Sequence, residues 1–131
     1  IPIFGWYLNK IGSISIKRNK ITKDNLSFFH DIHKVIQNSS RPIIIFPQGT
    51  RVNPDERPPF KKGAGRIYKE LKIFCQPIAI NSGYVWPKKG VKKPNKKIII
   101  SILPAFNSSL DKNEFIKSLE EKIYSELDRI N

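Results

Sequence analysis

A chain of 131 residues with 39% hydrophobic and 27% charged side chains has room for one domain with a buried core and is not composed like a disordered segment. Its 24 Lys and Arg outnumber its 11 Asp and Glu, for a net charge of +13, and a single cysteine, Cys75, excludes an intrachain disulfide framework or cysteine metal site. No apolar run approaches the roughly 18 residues of a membrane span. The charge is uneven. Residues 111–131 carry six acids and four bases, which leaves 20 bases and five acids for residues 1–110. A field of that sign attracts phosphate: nucleic acid, anionic lipid or a phosphorylated small molecule. Heavy use of Lys, Ile and Asn is also what an AT-rich genome would produce. The chain begins at Ile1 rather than Met, so a fragment or processed product is expected.

In chain order, Gly12-Ser13-Ile14-Ser15-Ile16-Lys17-Arg18 alternates small or polar residues with isoleucine and predicts a half-buried strand. Thr22 or Asp24 can cap a helix that carries Leu26, Phe29, Ile32, His33 and Ile36 at helical spacing. Ile43 to Phe46 reads as a short strand buried on both faces, followed by a long loop from Pro47 to Lys62. Gly63-Ala64-Gly65 opens a short helix through Leu71. Gln76–Asn81 and Lys97–Leu103 read as two further strands, with Cys75 as a buried structural thiol. Asp111 and Glu114 form a capping-box pattern before a helix whose apolar stripe is Ile116, Leu119, Ile123, Leu127 and Ile130. Strands alternating with helices predict an α/β fold, a layered sheet with flanking helices.

The stretch Phe46-Pro47-Gln48-Gly49-Thr50-Arg51 stands where such folds gather ligands, at the carboxyl end of a strand. Gly49 permits a close backbone approach, Thr50 offers a hydroxyl, and Arg51 presents a planar fork suited to phosphate oxygens. Arg18 leaves the end of another predicted strand, so two guanidiniums can converge on one anion. Read without that context, the same residues make an ordinary turn with a solvated arginine. No phosphate-binding G-x-x-x-x-G-K-[ST] loop exists, and Gly63-Ala64-Gly65-Arg66-Ile67-Tyr68 lacks the third glycine of a dinucleotide fingerprint. His30 and His33 have no clustered acids or cysteines and read as ordinary helix histidines. No metal is expected.

These six residues resemble the F-P-E-G-T-R block of the glycerolipid acyltransferases, the family that includes the lysophosphatidic acid acyltransferases. Three further segments agree in order. Gly12 to Arg18 resembles the upstream glycine-to-arginine block, Phe60-Lys61-Lys62-Gly63-Ala64 matches F-K-x-G-A, and Gln76-Pro77-Ile78-Ala79-Ile80 resembles the V-P-[IV]-[AV] strand. The resemblance implies a glycerol-3-phosphate acyltransferase-like fold, incomplete at its N-terminus, with residues 1–131 as the C-terminal part of the domain. It implies transfer of an acyl group from acyl-CoA or acyl carrier protein, as co-substrate and without a cofactor, to a lysophospholipid hydroxyl. Arg51 and Arg18 would bind the glycerol phosphate, Gly49 and Thr50 would shape its pocket, and Pro77, Ile78 and Ala79 would help line the acyl region. Two departures stand out. Gln48 replaces the glutamate and cannot ionise. The H-x-x-x-x-D base motif is missing, since Val35 follows His30 and Asn38 follows His33 at that spacing, so the base is expected upstream of Ile1.

Between the last two predicted strands, Trp86-Pro87-Lys88-Lys89-Gly90-Val91-Lys92-Lys93-Pro94-Asn95-Lys96-Lys97 places six lysines after a tryptophan. On an interfacial enzyme such a loop meets anionic lipid. The same loop suits a nucleic-acid-binding module, but neither an exposed stacking face nor a basic recognition helix accompanies it. A plain solvated connection is the third reading. With the acyltransferase blocks present, lipid is preferred to nucleic acid. The expected setting is the cytoplasmic face of a bacterial-type inner membrane, peripheral or anchored by an upstream segment.

Overall fold

The computed structural model describes residues 2–13, 24–39 and 42–131, which fall into two compact units, 1–43 and 44–131. The first unit holds α1 (Pro2–Lys10) and α2 (Asp24–Gln37). α2 lies where helical spacing predicts it, with Ile32 buried; α1 has no counterpart in the predicted elements. Most of the predicted Gly12–Arg18 strand, the Thr22 cap and Arg18 itself lie outside the described residues.

The second unit runs α3 (Lys62–Leu71), β1 (Ile78–Ile80), α4 (Ser82–Val85), β2 (Ile100–Ile102) and α5 (Lys112–Ile130). β1 and β2 pair antiparallel in the register Ile78 with Ile102, Ala79 with Ser101 and Ile80 with Ile100. Residues alternate faces along a strand, so this register puts Ala79 and Ser101 on one side and four isoleucines on the other. Ala79 is fully buried, and α5 packs against β1. The isoleucines are exposed. The outcome is mixed α and β, with a smaller sheet among the described residues than the predicted layers.

Ile43–Phe46 is a correction. It forms no strand, and Ile44 and Phe46 are each 79% exposed. β-Branched residues favour a pleated surface, but a strand buried on both faces needs ladder partners and covering layers. Among the described residues this run has neither.

The core lies between α3 and α5. Phe60, Tyr68, Phe106, Phe115 and Leu119 form one buried cluster, edged by Cys75, Leu110, Ile116, Ile123 and Tyr124. The Tyr68 and Phe115 rings stack with centroids 3.7 Å apart, and Phe106 meets Phe115 edge-on at 5.4 Å. The Tyr68 hydroxyl donates to the Asn107 carbonyl and accepts from the Leu110 N–H at 3.3 Å, so its polar end is satisfied at the cluster's edge. Gly65 explains why two helices come this close. A Cβ there would lie 2.7 Å from both Ile116 Cγ1 and the Lys112 carbonyl oxygen. Asp111 caps α5, its carboxylate accepting from the Asn113 N–H at 2.9 Å rather than from Glu114. That bond, first among its causes, holds the Asp111 carboxyl below its ordinary range.

The end of the sheet nearest the site is fastened by Asn81, a buried polar side chain. Its Oδ1 accepts from the Ile99 N–H at 2.8 Å, and its Nδ2 donates to the Ile130 carbonyl at 3.3 Å. One amide thus satisfies a donor just before β2 and an orphan carbonyl at the end of α5.

Candidate functional site

The turn is built locally. The Gly49 N–H donates to the Phe46 carbonyl at 3.0 Å, with Pro47 at the second position, where its fixed φ suits a β-turn. Gly49 then takes φ +71, a left-handed conformation costly for other residues, and Lys61 Cγ lies 3.3 Å from where a Cβ would stand. The Lys61 N–H donates to the Pro47 carbonyl at 2.8 Å, so the loop of residues 47–61 closes at its base. Proline, glycine and arginine in close succession are therefore the parts of a closed turn that projects Thr50 and Arg51 outward.

Both side chains are exposed at an open cleft of about 690 Å³. Phe46, Ile80 and Leu127 supply apolar wall; Gln48, Thr50, Arg51, Arg57, Tyr84 and Lys88 supply polar groups; Glu56 is an acid in the lining. Glu56 is engaged by Asn53, whose Nδ2 donates to Oε1 at 2.6 Å. Arg57 is paired with Asp128 at 2.5 Å, a contact that raises its pKa. Among the described residues the Arg51 guanidinium forms no hydrogen bond or ion pair. Its backbone carbonyl accepts from Lys88 Nζ at 3.2 Å, which draws a second cation beside it. A planar fork and a point charge at one open cleft are equipped to take an anionic oxygen cluster.

Gln48 has a partner 76 positions away. Its Nε2 donates to the Tyr124 hydroxyl on α5 at 3.3 Å, and that hydroxyl donates its own proton to the Pro58 carbonyl. Burial raises the pKa of the Tyr124 phenol, which keeps that proton in place at neutral pH. The Tyr124 ring also meets Phe60 edge-on at 5.1 Å and lies under the Arg57 guanidinium, 5.4 Å from the ring centre. An amide at position 48 can donate to a phenol whose proton is already committed; a carboxylate cannot.

The strand residues singled out by sequence separate. Pro77 and Ala79 are buried, Ile78 stands exposed on the open face of the sheet, and Ile80 reaches the cleft wall. Arg18 lies outside the described residues. His30 and His33 are exposed on α2, and among the described residues no group of three His, Cys, Asp or Glu side chains could hold a metal. Cys75 is half-buried at the edge of the core rather than fully buried, and that burial pushes its thiol up. Sequence reasoning did not single out Tyr124, Tyr84 or Arg57 at the site, and it placed Lys88 only in the basic loop. A lysine two residues after Trp86 was the available signal for a link between loop and cleft.

The chain resembles several known enzymes. It is 28% identical over 124 residues to the 1-acyl-sn-glycerol-3-phosphate acyltransferase of Pseudomonas aeruginosa, covering 93% of this chain and 47% of that protein. The namesake in Saccharomyces cerevisiae is 26% identical over 137 residues, covering 99% and 45%. That of Helicobacter pylori is 27% identical over 128 residues, covering 96% and 53%. The chain thus spans about half the length of the curated relatives it matches. No solved structure matches it. The family model described as Acyltransferase matches residues 1–81, across the Gly49 turn and the first strand of the sheet, and the chain belongs to that acyltransferase family.

Proposed function

We propose that the protein transfers a fatty acyl group from acyl-CoA or acyl carrier protein to the free hydroxyl of 1-acyl-sn-glycerol 3-phosphate, at the cytoplasmic face of a membrane. The observation that carries this reading is the Arg51 fork, unpaired among the described residues, in the lining of a partly apolar cleft beside Lys88. A lysophospholipid has the matching division, with a phosphate for the two cations and an acyl chain for apolar wall such as Phe46, Ile80 and Leu127. In the reaction the acceptor hydroxyl attacks the thioester carbonyl, the carbon–sulfur bond breaks, and the thiol leaves. The hydroxyl proton goes to a general base, which passes it to the departing sulfur so that it leaves as the thiol. By family resemblance that base is the histidine of an H-x-x-x-x-D pair, with the aspartate orienting it. Arg18, by the same resemblance, joins Arg51 on the phosphate.

The test is binding of a short-chain lysophosphatidate, below its micellar concentration, to the chain and to two variants. Arg51→Ala is expected to weaken it at least tenfold. Arg51→Lys should also weaken it, because a point charge does not replace a bidentate fork. Monoacylglycerol, which lacks the phosphate, should bind all three alike. Equal lysophosphatidate affinity for wild type and Arg51→Ala would overturn the assignment.

A further inference from the structure

We infer that the loop from Trp86 to Lys97 is a docking surface for an anionic lipid bilayer, with the substrate cleft opening at its base. Residues 71–110 contain seven lysines and no acid, and six of those lysines fall within this loop. Every residue from 88 to 100 is exposed. Among the described residues Lys89, Lys93, Lys96 and Lys97 form no ion pair, so their charge is presented outward. The loop is shaped rather than slack. The Trp86 N–H donates to the Ser82 carbonyl at 2.8 Å, the Lys93 N–H donates to the Val85 carbonyl at 2.9 Å, and Gly90 and Asn95 take left-handed conformations at φ +101 and +63. Between those bends Val91 stands 86% exposed, an apolar residue flanked in sequence by Lys88, Lys89, Lys92 and Lys93. Trp86, 62% exposed, lies under Lys92, whose Nζ is 3.6 Å from the ring centre. Exposed lysines flanking an exposed valine, with an exposed tryptophan under one of them, are complementary to anionic headgroups over an acyl layer.

Continuity with the cleft adds a second argument. Trp86 and Lys88 belong to the loop and also line the cleft, and Lys88 bonds the Arg51 backbone. A bilayer held by the loop stands at the cleft's mouth, where an amphiphilic acceptor can enter without crossing bulk water. The choice of lipid over another polyanion rests on the function proposed above.

The experiment is flotation of the chain with vesicles of phosphatidylcholine alone and of phosphatidylcholine with about one third phosphatidylglycerol, near physiological salt and without substrate. Wild type should bind the anionic vesicles only. In a Trp6→Phe background, the fluorescence of Trp86 should shift to the blue on binding. Each lysine near an anionic surface contributes roughly a fivefold gain in partitioning. Replacing Lys89, Lys93, Lys96 and Lys97 by glutamine should therefore weaken vesicle binding on the order of 10³-fold, and Val91→Asp should weaken it further. The four-lysine variant should keep its affinity for monomeric short-chain lysophosphatidate, which reads the cleft independently of the loop. Vesicle binding that survives the four replacements overturns the inference. So does tight binding to a DNA oligonucleotide with none to anionic vesicles. Unchanged lysophosphatidate affinity in Arg51→Ala overturns the proposed acceptor site alone, and vesicle binding that survives the four lysine replacements overturns the loop alone, so the two failures are distinguishable.

Discussion

Tyr124→Phe is the most informative single change, because it removes one oxygen and leaves the ring. The edge-on contact with Phe60 at 5.1 Å and the Arg57 contact at 5.4 Å do not need the hydroxyl. Two hydrogen bonds do: the one from Gln48 Nε2, 3.3 Å long and so weak, and the close one to the part-buried Pro58 carbonyl. Neutral hydrogen bonds contribute about 0.5–1.5 kcal/mol each, and an unpaired buried carbonyl adds to the loss. The expected destabilisation is about 2 kcal/mol, a fall in Tm on the order of 10 °C for a domain of this size. Gln48→Glu tests the direction of the bond. The Tyr124 proton is committed to Pro58, so a carboxylate either faces a phenol oxygen or draws that proton away, and one bond is lost either way. That costs about 1 kcal/mol in wild type and close to nothing once residue 124 is phenylalanine. Urea denaturation of wild type, both single variants and the double variant, followed by circular dichroism at pH 7, measures the coupling. Strict additivity, or a Tyr124→Phe protein within 0.5 kcal/mol of wild type, would refute the reasoning.

Two further predictions concern stability. Gly65→Ala should destabilise by about 1–3 kcal/mol, because the new methyl meets the Lys112 carbonyl and Ile116 at 2.7 Å and a backbone oxygen inside a helix has little room to move; a thermal melt no lower than wild type would show that α3 and α5 are not this close in solution. Glu126 accepts from Arg129 at 2.6 Å and from the Ser101 hydroxyl, and these contacts lower its carboxyl from the ordinary 4.5 to about 2. A carboxyl depressed by folding stabilises the native state above its unfolded pKa, and that stabilisation is lost as pH falls from about 4.5 through 2. Stability measured from pH 6 to pH 2 should therefore decline more steeply in wild type than in Glu126→Gln, and equal slopes would refute the assignment.

What was legible in the sequence was what neighbours in sequence decide. The Gly49 turn needs only a proline at its second position and a glycine free to take positive φ, both within four residues. α5 announces itself by a cap and a five-residue stripe, and the two strands by short isoleucine runs between prolines and asparagines. Even in α5 the stripe was slightly misplaced. Its most buried residue is Phe115, one position before the predicted stripe, because Tyr68 stacks on that ring across the Gly65 contact. Helical period alone cannot say which edge of an apolar face a neighbouring helix will cover. Ile43–Phe46 fails more plainly, since the same residues suit a strand whether or not partners exist, and pairing is a property of the partners.

The site divides the same way, and the division explains Gln48. Read as a local motif, an amide in place of the family's glutamate looks like the loss of a charge. Read with its partner, it is one half of a donor–acceptor match whose other half sits on α5, 76 positions along the chain. Lys88 makes the same point from a loop 37 positions after Arg51. Each reaches the turn through the fold, one beneath it and one beside it. Residue 48 is therefore read against the hydroxyl that receives its hydrogen bond, and with Tyr124 as its partner the amide is the side chain of that length that completes the contact without taking the proton that Tyr124 donates to the Pro58 carbonyl.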